Sequence, residues 1–259
     1  MITSLKEIYS YREMLFSLVR RDLRGRYKGS VLGFLWTFLN PLLQLVVYTI
    51  VFSIILPTDI EKYYLHLFVA LVPWIFFSTS LTGGAGCILA QQEMVKKIYF
   101  PREILPLSYV VSQFVNMLLS FLVVFLVIIG TGHEINVAAF CCLPVVMAVE
   151  FILALGVAML ASAVTVYIRD LEYILGILVL AWQFLTPVMY PVSIVPEKMM
   201  WLFHLNPMTS VTEAYRQILY YARVPQLGTL TNVILTGIIV LAIGWVSFAR
   251  LKKGFAEEL

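Results

Sequence analysis

Long, mostly apolar stretches constrain this chain of 259 residues more than any other feature of its sequence. Six of them cover residues 31–56, 65–89, 107–129, 143–168, 173–189 and 230–248, with Glu150 as the only charged residue inside them. A helix crosses the roughly 30 Å bilayer core with about 20 apolar residues. Membrane-spanning strands instead alternate apolar and polar residues, and these stretches do not. We therefore predict an all-α, polytopic membrane protein with six transmembrane helices and a single domain over residues 1–259.

The composition agrees with a membrane protein. Hydrophobic residues make up 61% of the chain and charged residues 13%, and the mean hydropathy is +0.92. Soluble domains carry about 25% charged residues. In water, a chain with so many hydrophobic residues would expose a large apolar surface, which soluble proteins avoid.

Three segments between the apolar stretches are polar or broken. Residues 1–30 contain an amphipathic helix over 5–28, which lies in the headgroup plane or forms a simple cytosolic stub. In the segment 91–107 charged and apolar residues alternate, and Pro101 and Pro106 bound a short helix. The segment 190–228 holds four prolines among many aromatic residues, and its apolar run is too short to span, so we expect a re-entrant or interfacial segment.

The distribution of Lys and Arg predicts the orientation. With the amino terminus inside, the segments 1–30, 91–107, 169–172 and 250–259 face the cytoplasm and carry 14 of the 18 basic residues. The opposite segments, 57–64, 130–142 and 190–228, carry 4. Cytoplasmic loops are the ones enriched in Lys and Arg. Both termini are therefore expected in the cytoplasm, with 190–228 on the other side.

Several kinds of chemistry leave no trace in the sequence. There is no phosphate-binding loop for ATP, and the three histidines are scattered rather than spaced as metal ligands, so no catalytic and no metal site is expected. Glu150 is either a snorkelling or hydrogen-bonded carboxylate near the interface or part of a proton-coupled transporter.

Four ordered stretches carry a resemblance to a known family. They are residues 18–36 with 39–42, residues 94–108, residues 167–171, and Asn206-Pro207 followed by 214–216. Together they resemble the membrane permeases of type-2 ABC exporters, and within these the polysaccharide branch that serves O-antigen export. Teichoic acid permeases are close relatives, so the kind of glycan stays open.

This resemblance implies a multi-pass permease of the bacterial cytoplasmic (inner) membrane that takes part in lipopolysaccharide biosynthesis. It implies a homodimer with two copies of a separate ATPase subunit, which would hold the ATP and Mg, while this chain binds no cofactor. The substrate would be a polysaccharide linked to a polyprenyl diphosphate lipid. Membrane lipid is a further expected partner, and no nucleic acid is.

The resemblance also implies roles for individual residues. The segment 91–107 would be the coupling helix, seated in an ATPase cleft, although the residues alone also fit a solvated loop; its candidates are Glu93, Lys96, Lys97, Phe100, Pro101, Arg102 and Glu103. The basic amino-terminal helix would hold anionic lipid or the lipid diphosphate, with Arg20, Arg21, Arg24 and Arg26 as candidates. Channel or lid candidates, some of which could equally be interfacial anchors, are Trp36, Tyr190, Trp201, Phe203, Tyr215 and Arg216.

Two readings from other classes stay open on the residues alone. One is a flippase or secondary transporter that works without ATP, which would need coupling charges inside the spans. The other is a membrane assembly subunit without a pore. Copurification of an ATPase subunit favours the exporter over both.

Overall fold

The computed structural model describes residues 2–25, 29–55 and 60–259, and the regular structure in this part of the chain is helical throughout. Short 3₁₀ or π turns extend several of the helices, as at Gly33–Leu35, Val51–Ile55 and Lys252–Gly254. The α-helices are α1 Ile2–Ser10, α2 Arg12–Gly25, α3 Trp36–Ile50, α4 Tyr63–Gly86, α5 Gln92–Lys97, α6 Ile104–Gly130, α7 Val137–Phe140, α8 Leu143–Tyr167, α9 Leu171–Phe184, α10 Glu197–Leu205, α11 Pro207–Leu219, α12 Leu227–Leu251 and α13 Phe255–Glu258.

Helix α4 forms the centre of the bundle. It contacts α3, α6, α8, α9 and α11, and side chains on every face of it are buried. A helix that is apolar all round belongs in the interior of a bundle, which explains why α4 shows no preferred apolar face.

Helices α8 and α12 approach each other closely at two glycines. A Cβ atom added to Gly244 would lie 2.1 Å from the carbonyl oxygen of Gly156, and one added to Gly156 would lie 2.7 Å from the backbone of Leu241. Small residues allow helices in a membrane to pack backbone against backbone. The last span is thereby held against the fourth along its length.

Five helical stretches are long and apolar enough to cross a membrane: Gly33–Ser53, Tyr63–Gly86, Ile104–Gly130, Val137–Tyr167 and Leu227–Gly254. The fifth predicted span, residues 173–189, contains α9, which has 14 residues and is therefore about 21 Å long. Our prediction of a helix up to residue 189 was wrong, because α9 ends at Phe184. Pro187 lacks a backbone donor and disfavours helical geometry in the residue before it.

The amino-terminal and coupling segments also differ from the sequence prediction. The expected single helix over 5–28 is two helices, α1 and α2, interrupted at Tyr11, and residues 26–28 lie outside the described part of the chain. The short helix expected between Pro101 and Pro106 is absent. Instead, α5 lies earlier, and Pro106 falls in the first turn of α6, where a missing N–H costs no helical hydrogen bond.

The segment 190–228 contains two helices, α10 and α11, joined at Asn206. The Asn206 side chain accepts a hydrogen bond from the backbone N–H of Met208 at 3.0 Å, and Pro207 takes the first helical position. Both features favour a helix start at this point. Helix α10 keeps exposed apolar side chains, whereas α11 is buried against α4, α8 and α12.

Candidate functional site

Residues after the last span pack against the segment between the second and third spans. Lys252 Nζ lies 2.5 Å from Glu103 Oε1, and the Glu103 side chain is buried. Arg102 donates a hydrogen bond to the carbonyl oxygen of Lys252, and Lys96 Nζ donates one to the Leu259 carbonyl oxygen at 2.6 Å. The guanidinium of Arg102 also lies 5.7 Å from the Phe255 ring centroid. We refer to these residues as the C-terminal cluster: Lys96, Arg102, Glu103, Lys252, Phe255 and Leu259.

The chain must turn sharply to form the C-terminal cluster, and the residues there permit it. The 3₁₀ turn Lys252–Gly254 follows α12, and a Cβ at Gly254 would lie 2.4 Å from the Tyr167 hydroxyl oxygen. That hydroxyl donates to the Leu251 carbonyl oxygen at 2.8 Å. Phe255 is fully buried and packs edge-on against Phe248. Aromatic packing and a glycine therefore anchor the tail before its charged side chains reach the coupling segment.

The predicted coupling residues divide into exposed and buried ones. Glu93 and Lys97 form an exposed ion pair of 2.7 Å across one turn of α5. Phe100 and Pro101 are buried and fix the segment to the bundle. Between these two groups the chain presents Ile98 and Tyr99, which are 58% and 82% exposed. An exposed apolar pair flanked by charges suits contact with another protein.

Tyr99 is also tied to the amino terminus. Its hydroxyl donates to Glu7 Oε1 at 3.3 Å, and its carbonyl oxygen accepts from the Tyr11 hydroxyl at 3.4 Å. Helix α2 continues from there and packs on α6, where the Ser112 hydroxyl donates to Asp22. The amino-terminal helices, the coupling segment and the carboxyl terminus thus meet at one end of the bundle.

The arginines proposed for diphosphate or lipid binding lie on α2. Arg20, Arg21 and Arg24 are exposed, whereas Arg26 lies outside the described residues. Arg21 lines a cleft together with Asp22 and Glu172. Because two carboxylates share that cleft, Arg20 and Arg24 are the freer positions for an anionic ligand, and their role stays a prediction.

A buried arginine organises the opposite end of the bundle. Arg216 is 1% exposed, and its Nη2 donates to the Val188 carbonyl oxygen at 2.7 Å. Its other nitrogens donate at 3.4 Å to the carbonyl oxygens of His66 and Tyr190. Residues 185–190 are not helical, so the carbonyl groups of Val188 and Tyr190 need donors from elsewhere. We refer to Arg216 with these three carbonyl groups as the Arg216 cluster.

Tyrosine hydroxyls form further hydrogen bonds to backbone carbonyl groups at this end of the bundle. Tyr63 donates to the Met189 carbonyl oxygen at 2.8 Å, and Tyr220 donates to that of Glu61 at 2.5 Å. His133 Nε2 lies 2.8 Å from the Tyr220 carbonyl oxygen. Partial burial raises the pKa of the Tyr220 hydroxyl, so it stays protonated and acts as a donor.

The two clusters lie at opposite ends of the molecule. The C-terminal cluster includes Glu103, directly before α6, and His133 follows the far end of that helix. With 27 residues α6 is about 40 Å long. The described parts of the basic segments 1–30, 91–107, 169–172 and 250–259 therefore converge at one end, and the described parts of the segments that we predicted to face the other way meet at the other.

Glu150 has a partner that the sequence did not reveal. Its side chain is fully buried, and Oε2 accepts a hydrogen bond from the Tyr215 hydroxyl at 2.6 Å. Its carboxylate therefore does not snorkel to the interface. Tyr215 is also fully buried and stacks on Phe121, with 5.4 Å between the ring centroids.

The channel or lid candidates do not form one surface. Trp201 is 63% exposed on α10, whereas Phe203 is buried and packs against the Tyr190 ring. Tyr215 and Arg216 are buried inside the bundle and would reach a substrate only after a rearrangement. Their assignment to a lid stays a prediction, as does that of Trp201.

Trp36 lines a small cavity between α3, α4 and α6 together with polar side chains that were not among the predicted site residues. These are chiefly Asn40, Gln113 and Asn116. The sequence spacing could have indicated these residues. Trp36 and Asn40 are four residues apart and Gln113 and Asn116 are three apart, which places each pair on one helix face. Among the described residues, no three His, Cys, Asp or Glu side chains come together as metal ligands would.

Comparison with known proteins places the chain in a family. Residues 13–220 match the model of the ABC-2 type transporter family. The chain is 36% identical over 263 residues to the O-antigen export system permease protein RfbA of Myxococcus xanthus, with all of both chains covered. It is 29% identical to the protein of that name from Klebsiella pneumoniae, with 95% of each covered. It is 23% identical to the polysialic acid transport protein KpsM of Escherichia coli, with 88% and 89% covered. This chain is a member of the ABC-2 type transporter family of membrane permeases.

Proposed function

We propose that this chain is the membrane permease subunit of an ATP-driven exporter that moves a lipid-linked, O-antigen-like polysaccharide across the bacterial cytoplasmic membrane. The observation that carries the proposal is the match to an O-antigen export permease along the full length of both chains. Relatives of more distant sequence are also named for polysaccharide transport or export, which supports the substrate class.

In this proposal both termini lie in the cytoplasm and the Arg216 cluster lies on the far side. The basic segments support this orientation, because they converge at the end that holds the C-terminal cluster. Helix α9 is the fifth of six membrane crossings, completed by the non-helical residues 185–190, and α10 with α11 is the re-entrant outward segment. Non-helical backbone is tolerated at membrane depth where protein groups satisfy it, as Arg216 does here.

Two copies of the chain form the translocation path, and two copies of an ATPase subunit bind ATP and Mg beneath it. The ATPase contacts the exposed Ile98 and Tyr99. The C-terminal cluster holds the coupling segment to the end of α12, so that motion of the ATPase reaches the third and the last span together.

The proposal is tested with the permease and its ATPase purified together and reconstituted in vesicles that carry a radiolabelled lipid-linked glycan. We expect ATP-dependent transfer of the glycan across the membrane. Tyr99→Ala should abolish the coupling of ATP hydrolysis to export, whereas Tyr221→Ala, at an exposed tyrosine of the opposite end, should preserve it. Failure of an ATPase to copurify, or export without ATP, would overturn the proposal.

A transporter driven by an ion gradient remains the alternative outcome of this experiment. Its strongest support is the buried carboxylate of Glu150, since ionisable groups at membrane depth mark proton or ion paths. Glycan movement that follows a pH gradient in the absence of ATP, and that Glu150→Gln removes, would favour it.

A further inference from the structure

The first span carries a stripe of polar and aromatic side chains at intervals of four residues. It consists of Trp36, Asn40, Gln44 and Tyr48. Steps of four keep side chains near one face of a helix, which turns once every 3.6 residues. Asn40 lies seven residues, or about 10 Å, inside the span Gly33–Ser53, and its side chain is exposed. An exposed amide at that depth is unfavourable against hydrocarbon, so this face is expected to meet something polar.

The cavity beside this stripe reaches further into the bundle. It has a volume of about 90 Å³ and is bordered by Trp36 and Asn40 of α3, by Thr79 of α4, and by Gln113, Asn116 and Ser120 of α6. Its lining includes no Lys, Arg, Asp or Glu. A cavity that is polar but carries no charge suits a neutral ligand rather than a phosphate or a metal ion.

Two amide groups that border the cavity each have one atom without a hydrogen-bond partner within the described part of the chain. Gln113 is 3% exposed, and neither its Nε2 nor the Oδ1 of Asn116 has a hydrogen-bond partner there. A buried polar group without a partner is unfavourable, so such groups in a native protein indicate a ligand or water. The cavity is thus bordered by two side chains that carry an unpartnered donor and an unpartnered acceptor about one helical turn apart, and both atoms are buried, so a ligand reaches them when the amide groups rotate toward the cavity.

The hydroxyl groups in the cavity add further acceptors. Thr79 Oγ1 donates to the Ile75 carbonyl oxygen at 2.7 Å, and Ser120 Oγ donates to that of Asn116 at 3.0 Å. Because each hydroxyl proton is used within its own helix, the oxygen atoms remain free to accept. A wall with several acceptors and an amide donor is complementary to sugar hydroxyls, each of which both donates and accepts.

We infer that this cavity and the Asn40 face of the first span hold the hydroxyl groups of an uncharged sugar unit of the glycan during export. The inference rests on the proposed function. A cavity of about 150 Å³ admits benzene, so the smaller volume here admits a hydroxymethyl group or a pair of hydroxyls rather than a whole ring. The ring itself lies outside, against the partly exposed indole of Trp36.

Photocrosslinking in the complete complex tests where the glycan lies. A photoreactive amino acid at Asn40 should capture radiolabelled glycan during ATP-driven export, whereas one at Leu126, an exposed apolar position on α6, should capture phospholipid. Capture of phospholipid or of the second copy of the chain at Asn40, or capture of nothing while export proceeds, would overturn the inference.

Paired substitutions test the cavity itself. Gln113→Met and Asn116→Leu keep side-chain volume and remove the unpartnered amides, so stability should be kept while export at low glycan concentration falls roughly tenfold in the double variant. Asn232→Leu is the matched control, because its amide donates to Ser210 Oγ at 2.8 Å. This control should lower thermal stability without a specific loss of export.

The outcomes of these experiments distinguish a failure of the inferred sugar subsite from a failure of the proposed export function. Normal export by the Gln113→Met/Asn116→Leu variant would refute the sugar subsite and leave the exporter intact. Absence of ATP-dependent export by the unaltered complex in the same vesicles would refute the proposed function instead. A loss of thermal stability that matches the loss of export would show that the amides are structural, which also refutes the subsite.

Discussion

The two ends of the bundle are held together by different kinds of contact. In the C-terminal cluster, long charged side chains join segments that remain partly in water, and Lys252 keeps 31% of its side chain exposed. In the Arg216 cluster, one guanidinium that is 1% exposed serves three backbone carbonyl groups. The exposed lysine side chains of the first cluster can exchange their contacts with water at small cost, although the buried Glu103 carboxylate cannot, whereas in the second cluster the donor itself is buried. The end that we propose to dock the ATPase is therefore the more adjustable one, and the far end would open only if buried hydrogen bonds break.

The Arg216→Met substitution tests this comparison with the largest expected effect. Methionine keeps much of the side-chain length but donates no hydrogen bond, so the Val188 carbonyl group would be left buried without its 2.7 Å partner. We expect a loss of about 3 kcal/mol in the free energy of unfolding, since bonds to charged groups and buried unpaired carbonyls each contribute about 1–3 kcal/mol. Thermal melting of the detergent-solubilised protein measures it.

Arg223→Met is the matched control, because the Arg223 side chain is exposed at the same end. Its melting temperature should stay close to that of the unaltered protein. Equal shifts in the two variants would contradict the distinction between the clusters.

The Arg216 cluster also illustrates what could be predicted from sequence. Apolar run length placed the third and fourth spans at 107–129 and 143–168, close to α6 and α8 at Ile104–Gly130 and Leu143–Tyr167. Span position follows from hydropathy alone, because bilayer thickness sets the length of the run. Helix rotation and packing decide which side chains meet across the bundle. The length of an apolar run carries no information about either.

The contacts that were missed all join distant parts of the chain. Tyr215 and Glu150 are 65 residues apart, and Lys252 and Glu103 are 149 apart. The end of α9 was missed for a local reason, since Pro187 stops a helix that hydropathy alone would continue. For the candidate site, polarity and resemblance to a family singled out the segment 91–107, whose role in coupling stays a prediction. The uncharged polar cavity was missed because none of the residues that line it is ionisable.

The Tyr215→Phe substitution is expected to have the second largest effect and extends the comparison to the interior. It leaves Glu150 buried without the 2.6 Å hydrogen bond to its Oε2, while the ring still stacks on Phe121. We expect a loss of about 2 kcal/mol, within the range for a buried polar group that loses its partner. Glu150→Gln should cost less, because an amide oxygen can still accept from the tyrosine. A larger loss for the glutamine variant would show that the carboxylate has a further role.

The Gly254→Ala substitution tests the C-terminal cluster, where a smaller effect is expected. The added methyl group would lie 2.4 Å from the Tyr167 hydroxyl oxygen but 3.5 Å from the ring carbon that carries it. We expect a loss of about 1 kcal/mol, at the low end for overpacking, because the tail can shift. Tyr167→Phe removes that oxygen, so the double variant should melt higher than the sum of the two single changes predicts. Simple additivity would contradict the contact.

The smallest stability effect is expected for Lys97→Ala, which removes the exposed ion pair with Glu93. Such pairs contribute about 0.3–0.5 kcal/mol on a helix surface, so the melting temperature should hardly change. Any loss of ATPase binding or export in this variant therefore reports a contact with the partner rather than a damaged fold. Lys198→Ala, at an exposed lysine on α10 far from the coupling segment, is the control and should change neither property. If Lys97→Ala also leaves export unchanged, Lys97 does not contribute to ATPase docking, and the contact is made by Ile98 and Tyr99, whose exposed side chains directly follow Lys97 in the chain.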